Sequence, residues 1–374
     1  MVKKIGFDAT SIKKDHDGGK NQVALNLLRG FEKNGAAGRF VVFCLPEMEE
    51  VILQLIPNAT VVTIRSRKIW KKTITDIWVR SFILPRYLNK YQVGVLLFPT
   101  WNTGIRRLRI PTVVIPHDIQ SQTHKERFSV KSRLVDSFCY HFDFKLRDRI
   151  IAISDFDKKE IAMVYPAYQG KIIQISNPIL TDLFISSGTY RKTHPYITTV
   201  NIQHRHKNTI TLIKAFDKIK DIIPHDLYLV GRTTAESAHL FSYVNEHDLG
   251  KRVIFTGFLD DVALADVIKG SALFVNPSFF EGFGMTCVEA MLAGVPTLAS
   301  NVSATPEVTM GLCNYYEPPD DIEALAEAIK RMLLTDEKKT ATQLEMIRNK
   351  IDEQYNYIKI SRQYFDLLTL LIPR

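Results

Sequence analysis

The chain has 374 residues, 45% of them apolar and 24% charged, a length that at ~100–200 residues per domain points to two domains and a composition that excludes disordered, collagen-like and low-complexity classes. No apolar run reaches the ~20 residues that span a bilayer, and Asp8 interrupts the first apolar stretch where a secretory signal would continue. The net charge of +9 is uneven: residues 1–180 hold 29 Lys and Arg against 16 Asp and Glu (+13) and residues 181–374 hold 20 against 24 (−4), so a basic half that can face nucleic acid, an anionic membrane or an anionic substrate meets a slightly acidic half near residue 180.

In the first half, short β-branched runs alternate with helical stretches. Ile5–Asp8, Phe40–Cys44, Val61–Ile64, Val93–Phe98, Thr112–Pro116, Ile150–Ile153 and Ile172–Ile175 are apolar enough to be parallel strands buried on both faces. Asp17-Gly18-Gly19-Lys20 lies between the first strand and a helix with Val23, Leu27 and Phe31 on one face. It matches neither GxGxxG nor a P-loop, so by itself it is a turn before a helix. The stretch 65–90 opens with Arg65, Arg67, Lys68, Trp70, Lys71 and Lys72, then places Ile74, Ile77 and Trp78 at helical spacing. It suits an anionic bilayer surface, or a helix packed on its sheet with a basic first turn. His117 and Asp118 follow the fifth strand, at the carboxyl edge where open α/β sheets bind ligands. Ser154 is spaced to cap the helix after the sixth strand. Cys44, Cys139, Cys287 and Cys313 are scattered, with no CxxC and no Cys/His cluster, which argues for a reducing cytoplasm and against a disulfide framework or zinc site.

Polar Thr181–Pro195 is the expected linker. Beyond it, Ile197–Val200, Leu227–Val230, Val253–Thr256, Leu273–Asn276 and Pro296–Ala299 read as strands, giving a second doubly wound α/β domain. Arg205 and Lys207 lie between the first of these and a helix at Thr209–Lys220, for which Asn208 is the expected N-cap. Cations at a helix start oppose its dipole, so the pair makes sense with an anion between them. Asp260-Asp261 and Asp320-Asp321 precede helices and read as caps rather than metal ligands, Asp320 and Glu323 having capping-box spacing. Asp336–Leu371 is mostly helical.

The most informative stretch is Asn276–Pro296. It leaves a strand, passes Gly282 and Gly284, and enters a helix near Met285. The two glycines allow close approach of a ligand to the backbone, and free N–H groups of Met285, Thr286 and Cys287 with the helix dipole make an anion site. Glu281 stands before this helix and Glu289 about one turn inside it, so two carboxylates can accept from different sugar or ribose hydroxyls of one extended ligand.

Glu281 and Glu289, set in EGFGMTCVEAMLAGVPTLAS with Pro306-Glu307-Val308 beyond, resemble the signature of the retaining glycosyltransferases of family 4. The resemblance implies a GT-B fold: two Rossmann-like doubly wound parallel-sheet α/β domains facing across a cleft. It divides the chain into an acceptor-side domain (1–185), a nucleotide-sugar donor domain (186–350) and a helix returning to the first domain (351–374). It implies that Gly18 and Gly19 reach the donor phosphate, that His117 lines the acceptor or donor-sugar site, and that Arg205 and Lys207 contact the diphosphate. These two are closer together than in the usual family pattern. The backbone of Phe283, Gly284, Met285 and Thr286 would hold the diphosphate, Glu281 a donor-sugar hydroxyl and Glu289 the ribose.

The function implied is retaining transfer of a hexose, such as mannose or rhamnose, from a nucleotide diphosphate sugar to a hydroxyl of a glycan or lipid-linked glycan. The family's usual setting is bacterial surface polysaccharide assembly, at the cytoplasmic face of the inner membrane. No metal, no other cofactor and no nucleic acid partner is expected. Three rivals are a GT-B nucleotide-sugar epimerase, a nucleic-acid-binding protein using the basic half, and a catalytically silent scaffold.

Overall fold

The computed structural model describes residues 3–13, 18–65, 72–125, 128–186, 194–334 and 340–373. Asp17, Arg67, Lys68, Trp70, Lys71, the side chain of Lys72 and the middle of the expected linker lie outside the described residues. The chain divides into two compact units, Met1–Ile179 with Tyr355–Arg374, and Leu180–Gln354. No helix among the described residues is long and apolar enough to cross a membrane.

The first unit is built on β1 (Lys4–Asp8), β2 (Phe40–Cys44), β3 (Thr60–Thr63), β4 (Val93–Phe98), β5 (Thr112–Val114), β6 (Arg149–Ala152) and β7 (Ile172–Gln174). All pairs are parallel, in the order β3-β2-β1-β4-β5-β6-β7. The order reverses between β1 and β4, which opens a crevice at their carboxyl ends, Asp8 and Phe98. Every residue of β2 and β4 is buried, as their apolar sequences require. The Tyr357–Leu371 helix packs along the Gly19–Lys33 helix, with Tyr357, Ile360, Ser361, Tyr364 and Leu368 buried. Their closest approach is at Gly30, where an added Cβ would lie 2.6 Å from the Tyr357 carbonyl. Ile179 holds the same turn by donating to the Tyr355 carbonyl (2.9 Å) and accepting from Tyr357 (3.0 Å).

The second unit has six parallel strands: β8 (Tyr196–Val200), β9 (Asp226–Val230), β10 (Val253–Gly257), β11 (Leu273–Asn276), β12 (Thr297–Ser300) and β13 (Asn314–Tyr316), ordered β10-β9-β8-β11-β12-β13. Its reversal lies between β8 and β11. Leu212, Phe216, Leu227, Leu229, Leu273, Leu298 and Ile329 are fully buried in one core; each contributes ~1.5–3 kcal/mol by burial. The two doubly wound sheets are those the apolar runs predict, apart from the added edge strand β13.

Three local expectations are corrected, and one strand was not among those expected. Thr181–Ile185, read as linker, is a helix, and Thr181 and Phe184 are buried. Asn208 adopts a left-handed conformation (φ 53°), so its side chain does not cap the helix but donates to the carbonyls of Pro277 (3.1 Å) and Pro319 (2.7 Å). The Ile322–Leu334 helix is capped by Asp321, which accepts from Ala324 at 2.9 Å, rather than by Asp320. β13 has no apolar run to announce it. Ser154 and Asp260 cap their helices as expected, accepting from Asp157 and Ala263.

Candidate active site

In the second unit the loops after β8 and β11 emerge side by side at the reversal. The Asn208 bonds tie them together, and Phe279 donates its amide to the His206 carbonyl at 2.8 Å. The β11 loop ends in Gly284, whose left-handed φ of 84° turns the chain into the Met285–Leu292 helix. The Cys287 amide is not free, since it donates to the Gly284 carbonyl (3.0 Å); this corrects the expected trio of free donors, leaving Met285 and Thr286 at the first turn.

Glu281 is the centre of this arrangement. Its Oε1 accepts from Lys207 Nζ at 2.7 Å, Ser278 Oγ at 2.7 Å and Asn276 Nδ2 at 3.2 Å. The anion that balances Lys207 is therefore a side chain of the protein itself. Burial raises the Glu281 pKa, but Lys207, His206 and these hydrogen bonds outweigh it and hold the carboxyl below its usual range. One oxygen is anchored, which fixes the direction in which Oε2 can accept. Arg205, by contrast, is exposed and makes no ion pair among the described residues.

Glu289 is also buried, yet its carboxylate makes no hydrogen bond to the described residues. Burial, with Asp261 adding to it against Lys207, pushes its pKa up to about 7. Elsewhere in the same unit, on the loop after β8 and at the starts of two helices, Gln203 Oε1, Thr209 Oγ1 and Thr305 Oγ1 are buried without a hydrogen-bond partner. A polar ligand with several hydroxyls and a negative group matches this set. No group of three His, Cys, Asp or Glu side chains is placed to hold a metal ion among the described residues.

In the first unit, Gly18 and Gly19 stand at the start of the Gly19–Lys33 helix. His117 follows β5 with φ 72° and is buried. Its Nε2 lies 2.7 Å from the Pro99 carbonyl, so it is the protonated nitrogen and Nδ1 is left as an acceptor. Burial, then Lys20, lowers its pKa to about 3 despite the Pro99 bond, keeping the ring neutral.

The sequence reading missed the frame behind His117. Asp8, ending β1, pairs with Arg80 at 2.7 Å, both side chains buried. Arg80 also donates to the Asn102 carbonyl (2.6 Å), and Asp143 accepts from the amides of Asn102 and Thr103, each at 2.8 Å. The loop after β4 is thus clamped from both sides. An acid ending an apolar strand and an Arg between Val79 and Ser81 were the available signals. In the second unit, Asn276 and Ser278 were missed as the anchors of Glu281.

Comparison with known proteins follows this division. The family model "Glycosyl transferases group 1" matches residues 184–350, and "Glycosyltransferase Family 4" matches residues 17–183. The serotype-specific mannosyltransferase WbdA of Escherichia coli is 26% identical over 241 residues, 60% of this chain and 29% of WbdA. The O-antigen chain mannosyltransferase B of Escherichia coli is 27% identical over 207 residues, 50% of this chain and 52% of that protein. The chain thus spans about half or less of the length of these two relatives. The crystal structure of Anabaena Alr3699/HepE in complex with UDP-glucose superposes with a TM-score of 0.75 over 98% of this chain and 100% of that one, at 17% identity, a likeness of fold.

Proposed function

Because this chain belongs to glycosyltransferase family 4, the group 1 glycosyl transferases of GT-B fold, we propose that it moves a hexosyl group, with retention, from a nucleotide diphosphate sugar to a hydroxyl of a glycan or lipid-linked glycan. The observation that carries this reading is Glu281, ionised and aimed by Lys207, Ser278 and Asn276 beside a helix N-terminus. In this scheme Glu281 Oε2 accepts from a donor-sugar hydroxyl and Glu289 from the ribose. The bond from the anomeric carbon to the diphosphate oxygen breaks with its electrons on the diphosphate. Lys207, Arg205 and the amides of Met285 and Thr286 stabilise that growing charge without a metal. The acceptor oxygen bonds on the face just vacated, and its proton passes to the departing diphosphate. In the same scheme neutral His117 serves the acceptor or donor sugar and the Gly18–Gly19 turn the donor phosphate.

The two mannosyltransferase relatives support assembly of a bacterial surface polysaccharide as the setting, and the scheme takes the cytoplasmic side as its location. The test is incubation with a panel of GDP- and UDP-hexoses and glycan acceptors, following nucleoside diphosphate release and the anomeric configuration of the product. Acceptor-dependent release with retention is expected. Release with no acceptor requirement would point to epimerase-type chemistry, and inversion would sink the scheme.

A further inference from the structure

We infer that the outer face of the Val130–Leu146 helix is a docking surface for an anionic lipid bilayer. Along this helix Val130, Leu134 and Phe138 recur every four residues and are 67%, 66% and 49% exposed, with Val135 beside them at 42%. Phe142 continues the row, its ring 4.8 Å from that of Phe138. At ~1.5 Å rise per residue the strip is ~18 Å long. It also widens sideways, because Phe138 and Phe142 line one hollow with Ile77, Gly104 and Ile105. Single exposed apolar residues are ordinary, but a continuous strip of them is the mark of a surface that meets something apolar.

The charges around the strip decide what that is. The exposed residues of the helix include Lys131, His141 and Lys145 and no acid. Its two acids are turned away: Asp136 is half-buried and Asp143 is buried against Asn102 and Thr103. Arg106 and Arg109 are exposed just beyond Ile105, as is Arg107, which lies 3.4 Å from Asp148. An apolar centre with a cationic margin matches the acyl boundary and headgroups of an anionic membrane. A second copy of the chain fits less well, since two-fold pairing of this helix sets lysines of one copy near those of the other. The strip belongs to a different segment of the sequence from the basic stretch at 65–72. Its use rests on the reading of a lipid-linked acceptor, but its binding to lipid does not.

The test is flotation of the full chain with phosphatidylcholine–phosphatidylglycerol vesicles at low salt. The wild type should float, and a Leu134→Gln/Phe138→Gln variant should partition at least about tenfold less, with unchanged thermal unfolding because both positions are exposed. Lys131→Gln/Lys145→Gln should weaken flotation on these vesicles but not the residual binding to pure phosphatidylcholine. All four native cysteines are buried, so a dye attached to Phe138→Cys reports the strip alone; its emission should shift blue on the anionic vesicles. Wild-type flotation that survives Leu134→Gln/Phe138→Gln, or a dye that sees no change, overturns the inference. So does self-association, measured by sedimentation velocity, that these substitutions abolish in a chain that does not float. Turnover of nucleotide sugars on a soluble acceptor is read separately, so a catalytic failure with flotation intact would count against the enzymatic proposal and not against this surface.

Discussion

Glu281 and Glu289 are one residue type in one site, yet their carboxyls are pushed in opposite directions, because one bonds Lys207 at 2.7 Å and for the other burial and a neighbouring acid outweigh Lys207. A raised Glu289 pKa means that the folded state favours the neutral carboxyl. Its contribution to stability is complete below the ordinary value of 4.5 and is lost as the pH rises through about 7. Glu289→Gln, neutral and isosteric, should therefore melt like the wild type at acid pH and above it in mild alkali, by on the order of 3 kcal/mol. Nucleotide-sugar binding should show the reverse slope: ribose hydroxyls need the ionised acceptor, so wild-type affinity should fall by up to about tenfold per pH unit below 7, and Glu289→Gln should lose that dependence. Calorimetric titration across the range checks both. For Lys207→Ala, turnover should drop by about two to three orders of magnitude, with a smaller rise in the donor Michaelis constant, since charge on the diphosphate grows toward the transition state. Steady-state kinetics that show only an affinity loss would make Lys207 a ground-state anchor. Much of this site was legible because Glu281, Gly284 and Glu289 lie within one short stretch. Its anchors were not: Lys207 is 74 positions from Glu281, and only the fold brings them together.

At the level of elements, Gly30 offers a test whose sign depends on packing. In an isolated helix Gly→Ala is worth ~1 kcal/mol of stabilisation. Here the added methyl would meet the Tyr357 carbonyl at 2.6 Å and the Ser361 side chain, so the two helices must part. Gly30→Ala should destabilise the first unit by about 1–3 kcal/mol, seen as a lower midpoint in urea; an unchanged or higher midpoint would mean that the helices slide apart freely. The sequence reading located the apolar strands because burial on both faces leaves a continuous β-branched run. It passed over β13, where Asn314, Tyr315 and Tyr316 carry no such run. It misread Asn208 and Asp320 because capping is decided by backbone geometry that residue type alone does not dictate. The Asp8–Arg80 pair joins positions 72 apart and leaves no periodic trace.

On the scale of the whole molecule, each unit has its own sheet and core, but they differ in continuity. The second is one uninterrupted stretch, Leu180–Gln354, whereas the first needs Tyr355–Arg374 to cover the Gly19–Lys33 helix. A protein comprising residues 180–354 should fold alone and bind nucleotide diphosphate sugar. A protein comprising residues 1–179 should expose apolar surface, bind a hydrophobic dye, and recover when residues 355–373 are joined to it by a flexible linker. Equal stability of 1–179 with and without that helix would refute the dependence. The discontinuity also has a meaning in time. During synthesis at ~5–20 residues per second, the first unit leaves the ribosome early and then waits ~10–35 s, while the second is made, for the segment that covers its open helix. Throughout that interval nascent chains on one messenger carry unfinished first units at close quarters, and a holdase chaperone has its substrate there rather than in the completed second unit.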